Sequence, residues 1–283
     1  MSASYYDRPV LKEPVWKPEA AVYLWAGGIA GVSALLALVA RRTGRATLAR
    51  RAHLASFAAL VACPPLLIVD LGRPDRFYNM LRVFKPTSPM SLGTWVLTAF
   101  GMAETGAALS EASGRFRGLG RLAELAAGIL GLPLATYTAV LLSDTSIPVW
   151  HKARHHLPFV FAGSAASAAG GAAAVLTPVT ESGPARRLAL FGALLELGAV
   201  VVMERSLGAG ALPYREGPAA STSHAARYLT AAGVGILTVA GRRRWGAATG
   251  GSLLLAGSLS LRLSILRAGP PSARATVAGP TVQ

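Results

Sequence analysis

The amino-acid sequence predicts an all-α integral membrane protein, an eight-transmembrane-helix bundle that divides into two four-helix bundles. Composition is the first observation, because 52% of the 283 residues are hydrophobic, 14% are charged and the mean hydropathy is +0.45. The second observation is that the apolar residues fall in eight runs. Since a membrane crossing needs about 20 predominantly apolar residues, a chain of this length accommodates about eight crossings.

Charged, proline and glycine residues separate the apolar runs and mark the ends of the predicted helices. We expect helices near residues 20–40, 53–70, 89–110, 122–143, 155–178, 188–204, 223–241 and 246–266. Residues 1–19 lack an apolar core, so we expect an external N-terminal tail rather than a signal peptide. The small, polar and proline-rich stretch 267–283 is expected to be a disordered tail, which leaves 20–266 as the membrane domain.

Small residues crowd the fifth predicted helix, in the stretch GSAASAAGGAAA from Gly163 to Ala174. Small side chains let helix backbones approach closely where lipid supplies no hydrophobic drive for association. A codon bias toward Ala and Gly explains the same composition equally well.

The formal net charge of +15 does not indicate a nucleic-acid partner, because the basic residues lie in short clusters between apolar runs. Such clusters orient membrane proteins. An even number of crossings puts both termini on one face, and the short connections of the opposite face carry thirteen arginines. The face of the termini carries thirteen basic residues over a much longer stretch of chain. The higher density of basic residues on the face opposite the termini therefore predicts that this face is cytoplasmic. The protein is then a multi-pass protein of the cell membrane with extracytoplasmic termini.

The segment that follows the second apolar run is unusually polar: DLGRPDRFYNMLRVFKPTSPMSLGTW. Gly72 and Pro74 predict a tight turn near its start. Asp70, its first residue, is followed by Arg73 and Arg76, which predicts a carboxylate that stays ionised beside two guanidiniums. A purely structural pairing of Asp70 with Arg73 is the alternative interpretation.

This segment resembles the signature of the NrfD/PsrC family, the membrane subunits of polysulfide-reductase-like oxidoreductases. A second stretch, TYTAVLLSDTSIPVWHKARHHLPFVFAGSAASAAG, is similar to the family's Tyr-Thr-Gly-x-Leu-Leu motif and Pro-x-Trp loop. A third, VYLWAGGIAGVSAL, resembles its aromatic and Gly-Gly opening. Together these matches span about residues 20–175. Ala139 stands where the family more often has Gly, which would narrow the predicted pocket.

The resemblance implies a subunit that exchanges electrons with a menaquinone-type quinone. Its implied partners are a ferredoxin-like iron–sulfur subunit and, beyond it, a molybdopterin-type catalytic subunit. Asp70 and Tyr137 would contribute to the quinone pocket, with Arg73 beside them. Either Glu19 or Tyr23, at the start of the first helix, would border the same pocket.

The chemistry of Asp70 and Tyr137 agrees with that role. Quinone turnover moves two electrons and two protons, so its site needs a hydrogen-bond donor and a titratable partner. Tyr137 lies about two helical turns from the predicted helix end, at roughly 1.5 Å per residue. The competing interpretation is that a tyrosine at this depth belongs to the aromatic belt at the membrane boundary.

Two acidic residues, Glu104 and Glu196, fall near the middle of predicted helices. An ionised carboxylate there costs roughly 2.5–3.5 kcal/mol. One interpretation is a proton relay from the quinone pocket to the cytoplasmic side, through His53. The other is a neutral, hydrogen-bonded pair that joins the third and sixth helices. Arg262 is predicted to be only an interfacial anchor.

Metal cofactors are not expected in this chain. A single cysteine, Cys63, cannot hold an iron–sulfur cluster, and the five histidines are predicted at helix ends or in loops rather than in facing pairs that ligate haem. A proton-coupled secondary transporter is the alternative function, since buried glutamates and glycine-rich helices also suit that class. The polar segment after Asp70 and the lack of a visible internal repeat favour the redox interpretation.

Overall fold

The computed structural model describes residues 14, 16–71 and 73–277. Eight helices of at least 20 residues account for most of this part of the chain. They are α1 (Pro18–Arg42), α2 (Ala46–Asp70), α3 (Pro89–Ser113), α4 (Arg117–Ser143), α5 (Leu157–Leu176), α6 (Gly183–Leu207), α7 (Pro218–Ala240) and α8 (Arg244–Val277). Short helical pieces occupy the longer connections, at Pro74–Arg76, Asn79–Arg82, Pro148–Lys152, Gly208–Ala211 and Leu212–Arg215.

Local sequence explains how several helices begin and end. Pro18 and Pro89 are the first residues of α1 and α3, where a fixed φ and a missing N–H suit the first turn. Ser88 caps α3, because its side chain accepts a hydrogen bond from the backbone N–H of Ser91. Gly114 ends α3 with a φ of 67°, the left-handed conformation that lets the chain reverse within three residues.

The helices form two groups of four. Consecutive helices pair side by side, and contacts of α1 with α4 and of α5 with α8 complete each group. Contacts of α1 and α4 with α5 join the two groups. The closest crossing of the first group lies at Gly31 and Gly131, where a Cβ on either residue would overlap the backbone carbonyl of the other. In the second group, Gly163 packs against the backbone of Glu196 and Gly171 against Gly251, so the small residues of α5 do permit close contacts.

The paired helices are antiparallel, so the molecule has two distinct ends. The connections at one end are short and comprise residues 43–45, 114–116, 177–182 and 241–243. We call this end the arginine face, after the arginines of these connections and of the adjoining helix ends. The opposite end is the terminal face, where α1 begins and α8 ends, and it holds the longer connections 71–88, 144–156 and 208–217.

Five helices, α1, α2, α4, α5 and α8, are long and apolar enough to cross a membrane. The all-helical membrane fold is therefore confirmed. The other three, α3, α6 and α7, have 25, 25 and 23 residues and are long enough to cross, but they are not among these five. Eight crossings remain a prediction.

The predicted position of His53 at the start of the second helix is wrong. Helix α2 begins at Ala46, and His53 lies in its third turn, where its side chain is buried. The predicted boundary was too late because Arg50 and Arg51 interrupt the apolar run. Their charges do not break a helix, and α2 continues through them to the arginine face.

The C-terminal tail predicted to be disordered from residue 267 is helical as far as Val277, whereas residues 278–283 lie outside the described part. Contacts with the short helix Pro148–Lys152 account for this extension. The indole N–H of Trp150 donates to the carbonyl of Ile265 at 2.8 Å, and the hydroxyl of Ser272 accepts from a backbone N–H of that helix at 3.0 Å. The two prolines of the stretch are accommodated within this packed helix.

Candidate functional site

A pocket opens among α1, α2, α3 and α4 near the terminal face, and we call it the phenol pocket. Its polar lining comes from Thr94 and three predicted site residues, and its remaining walls are mostly apolar. The lining includes Trp16, Tyr23, Leu24, Leu67, Asp70, Met80, Met90, Thr94, Tyr137 and Leu141. The fold therefore brings Asp70, Tyr137 and Tyr23 together, although they lie on three different helices.

The two phenols of the pocket form a pair. The hydroxyls of Tyr23 on α1 and Tyr137 on α4 share a hydrogen bond in which either oxygen can be the donor. Tyr23 is buried and Tyr137 is half-buried. Because the hydroxyl that accepts within the pair keeps its own proton free, the pair can present that proton to a ligand and replace it from the neighbouring oxygen.

Gly93 on α3 fixes the position of the Tyr137 ring. A Cβ at residue 93 would overlap the ring edge, so only glycine leaves room for it. Gly93 was not among the predicted site residues. A glycine in the SLG stretch of the polar segment is visible in the sequence. It indicates a close contact with the Tyr137 ring only when α3 and α4 are known to be neighbours.

Asp70 ends α2 at the rim of the phenol pocket. Its carboxylate accepts a hydrogen bond from the backbone N–H of Lys17 at 3.2 Å. Arg73 is exposed, and the ion pairs of the described residues do not include one with Asp70, so the predicted pairing with Arg73 is wrong. The side chain of Arg76 lies outside the described part. Glu19 is half-buried near Asp70, and its Oε2 is buried without a hydrogen-bond partner among the described residues.

The connection after Asp70 is shaped by specific contacts. A 3-10 turn begins at Pro74, while Gly72, the other residue of the predicted turn, lies outside the described part. Met80 of the following short helix reaches the phenol pocket. The indole N–H of Trp95 donates to the carbonyl of Val83 at 3.2 Å, which ties the connection to α3. The segment therefore forms a wall of the pocket.

The two mid-helix glutamates do not pair with each other, so the predicted bond between the third and sixth helices is wrong. Glu104 on α3 faces His53 on α2, with 3.0 Å between Oε1 and Nδ1. Glu196 on α6 instead accepts a hydrogen bond from the hydroxyl of Thr230 on α7 at 2.9 Å. All four side chains are buried. Each carboxylate thus has its own partner within its own helix group.

His53 connects Glu104 with the arginine face. Two cavities there, of about 580 and 310 Å³, both reach His53. Between them, Glu111 lies 3.3 Å from Arg41, whose Nε is 2.7 Å from Glu124. Sequence analysis missed these two acidic residues, although Glu111 lies seven positions after Glu104 and hence on the same side of α3.

Arg262 is not an interfacial anchor, as was predicted, but a fully buried residue. Its guanidinium lies 3.5 Å from the centre of the Phe161 ring and donates to the Phe161 carbonyl at 3.0 Å. Its charge also attracts that of Glu196. The prediction failed because α8 extends beyond residue 266, which places Arg262 well inside the helix.

These features define a multi-pass membrane protein whose first helix group encloses a pocket of phenols and a carboxylate. The family model of the NrfD polysulphide reductase matches residues 9–269, nearly the whole chain, and the chain belongs to that family. The family consists of membrane subunits of quinone-linked oxidoreductase complexes, which partner with catalytic and iron–sulfur subunits. No curated protein matches the chain.

Proposed function

We propose that this protein exchanges electrons between menaquinone in the membrane and a ferredoxin-like subunit, and through it a molybdopterin-type catalytic subunit. The observation that carries the proposal is the hydrogen-bonded pair of Tyr23 and Tyr137 in a pocket that Asp70 borders. Family membership supports the redox class over a secondary transporter.

The phenol pocket has a volume of about 70 Å³, so its lining suits the carbonyl edge of a quinone ring rather than the whole molecule. Leu24, Leu67 and Leu141 offer apolar contacts to a ring, and the hydroxyl of Tyr137 can donate to a carbonyl oxygen. A bound quinone supplies the transfer of two electrons and two protons. Tyr23 holds the Tyr137 hydroxyl in place and shares its proton, and the Asp70 carboxylate provides a titratable group at the rim.

Proton translocation would use the pair of Glu104 and His53. This pair lies beside cavities that open at the arginine face, so protons can reach it from that side. Glu104 is eleven residues beyond Gly93 on α3, which corresponds to about 16 Å along the helix. Transfer over that distance requires intervening water.

Replacing the pocket residues tests the quinone role. Tyr137→Phe removes the donor and Asp70→Asn the titratable group, so each variant should lower quinol-linked turnover of the assembled complex by about 100-fold or more, the usual contribution of a positioned proton-transfer group. The dye-linked activity of the soluble subunits should be unchanged. Tyr228→Phe, at an exposed tyrosine of α7, is the matched control.

Normal quinol turnover by both variants would place the site elsewhere. Quinone extraction from the copurified complex tests the cofactor and the partners together. An assembly without quinone and without an iron–sulfur neighbour would favour the transporter alternative.

A separate measurement tests the relay. Glu104→Gln cannot exchange a proton, so proton uptake by sealed vesicles should fall while quinol oxidation in detergent continues. Glu216→Gln, at an exposed glutamate on the terminal face, is the control. Unchanged uptake in the Glu104 variant would assign that residue to packing alone.

A further inference from the structure

The larger of the two cavities that reach His53 lies between α2 and α3 at the arginine face, and we call it the arginine pocket. It has a volume of about 580 Å³, and Thr47, Arg50, Arg51, Leu54, Phe57 and Ala108 contribute to its lining. Arg50 and Asp70 are twenty residues apart on α2, so the arginine pocket and the phenol pocket are separated by about 30 Å. The site is therefore distinct from the proposed quinone site.

The upper part of the arginine pocket is positively charged. Arg50 and Arg51 are exposed, and Arg50 lies 3.5 Å from Glu111. Glu111 also pairs with Arg41, which in turn pairs with Glu124, so Arg41, Arg50 and Arg51 face two carboxylates. No ion pair of Arg51 occurs among the described residues. Positive charge is thus in excess where the helices meet the membrane boundary.

The lower part of the same pocket is apolar. Leu54, Phe57 and Ala108 form its wall one to two turns below the arginines. Exposed Leu109 and Met102 on α3 line a second, largely apolar cavity further along the groove between the same two helices. The groove persists because α2 and α3 touch over only a short length. A cationic rim above an apolar groove fits a molecule with an anionic head and hydrocarbon chains.

We propose that the arginine pocket binds an anionic phospholipid, with its phosphate at Arg50 and Arg51 and an acyl chain along Leu54 and Phe57. Basic pockets between transmembrane helices bind the head groups of anionic lipids such as cardiolipin. Free phosphate would satisfy the arginines but leave the apolar groove uncovered. The proposal does not depend on the proposed quinone chemistry, and the second cavity that reaches His53 leaves protons a route to that residue beside a bound lipid.

The test uses the full chain with the subunits that copurify with it, placed in nanodiscs of phosphatidylcholine with increasing amounts of cardiolipin. The melting temperature should rise with cardiolipin, and mass spectrometry should detect it on the protein. The double variant Arg50→Gln, Arg51→Gln should bind cardiolipin about thirtyfold more weakly, from about 1 kcal/mol for each arginine. The double variant Arg242→Gln, Arg243→Gln removes equal charge from the same face outside the pocket and should bind normally.

Three outcomes would overturn the proposal. They are equal losses in both double variants, no stabilisation beyond that of phosphatidylcholine, and full stabilisation by inorganic phosphate alone. If the first double variant does not fold, Ala108→Trp provides a second test, because it fills the groove without changing charge. Ala58→Trp, at an exposed alanine of α2 outside the pocket, is its control. Cardiolipin binding that survives Ala108→Trp unchanged would also contradict the proposal.

Discussion

The Tyr137 ring lies in space that any side chain at position 93 would occupy. Tyr137 reaches Tyr23 only in this position, so the geometry of the phenol pair depends on a residue that makes no polar contact with either phenol. The packing of α3 against α4 thereby sets the direction in which the Tyr137 hydroxyl points.

Gly93→Ala should therefore separate the phenols. A Cβ at this position forces the ring to move, and such overpacking costs about 1–3 kcal/mol. Quinol-linked turnover should fall about tenfold or more, with dye-linked activity of the soluble subunits unchanged. Gly101→Ala on the same helix is the control, because its Cβ would meet only Leu60 at an ordinary 3.6 Å. Equal activity of the two alanine variants would show that the ring position does not matter.

At the same scale, the sequence singled out Asp70 and Tyr137 because each lies in a long contiguous motif, and the fold brings both residues to the phenol pocket. It could not choose between Glu19 and Tyr23, which are one turn apart on α1. That choice depends on the rotation of α1 about its axis, and rotation is set by contacts with other helices. Arg262 was misjudged for a related reason, since its burial depends on how far α8 continues.

At the scale of the helices, one crossing determines how α1 presents Tyr23 to α4. Gly31 and Gly131 bring the two backbones into contact, and the phenol pair lies further along the same two helices. Helices in lipid associate through such close contacts of small residues. The crossing therefore contributes both to the stability of the first helix group and to the alignment of the site.

Gly31→Ala should destabilise the first helix group. The added methyl group would overlap the carbonyl of Gly131, so the helices must separate, at a cost of about 1–3 kcal/mol. A lower melting temperature of the protein in detergent should report this change. Gly27→Ala, one turn earlier on α1, has no atom within 4 Å of the added methyl and should be neutral or slightly stabilising. Equal melting temperatures for the two variants would contradict the close backbone contact of α1 and α4 at Gly31 and Gly131.

Helix existence was predictable from the apolar runs, but helix ends were not. Apolar runs report the part of a helix that lies in lipid, whereas charged residues such as Arg50 continue the helix toward water. The tail after residue 266 is helical because Trp150 and Ser272 tie it to a distant connection. A contact between residues more than 100 positions apart leaves no local signal in the sequence.

At the scale of the whole molecule, the two ends differ in the density of positive charge. The total number of basic residues in the connections, tails and adjoining helix ends is the same on both sides, but the connections of the arginine face have only three, three, six and three residues. Short connections dense in arginine are retained in the cytoplasm, whereas longer ones are translocated more easily. The fold thus supports the predicted orientation by giving the lengths over which the charges are spread.

Labelling of single cysteines in intact cells tests this orientation. Cys63 is fully buried, so a Cys63→Ala background gives a chain without a native thiol. We expect a membrane-impermeant maleimide to label Lys85→Cys, in the connection 71–88 of the terminal face, because this connection should lie outside the cytoplasm. Arg115→Cys, in the connection 114–116 of the arginine face, should be labelled only after the cells are opened. The reverse pattern would put the arginine face outside the cytoplasm. Labelling of both positions in intact cells would contradict antiparallel crossing by α3.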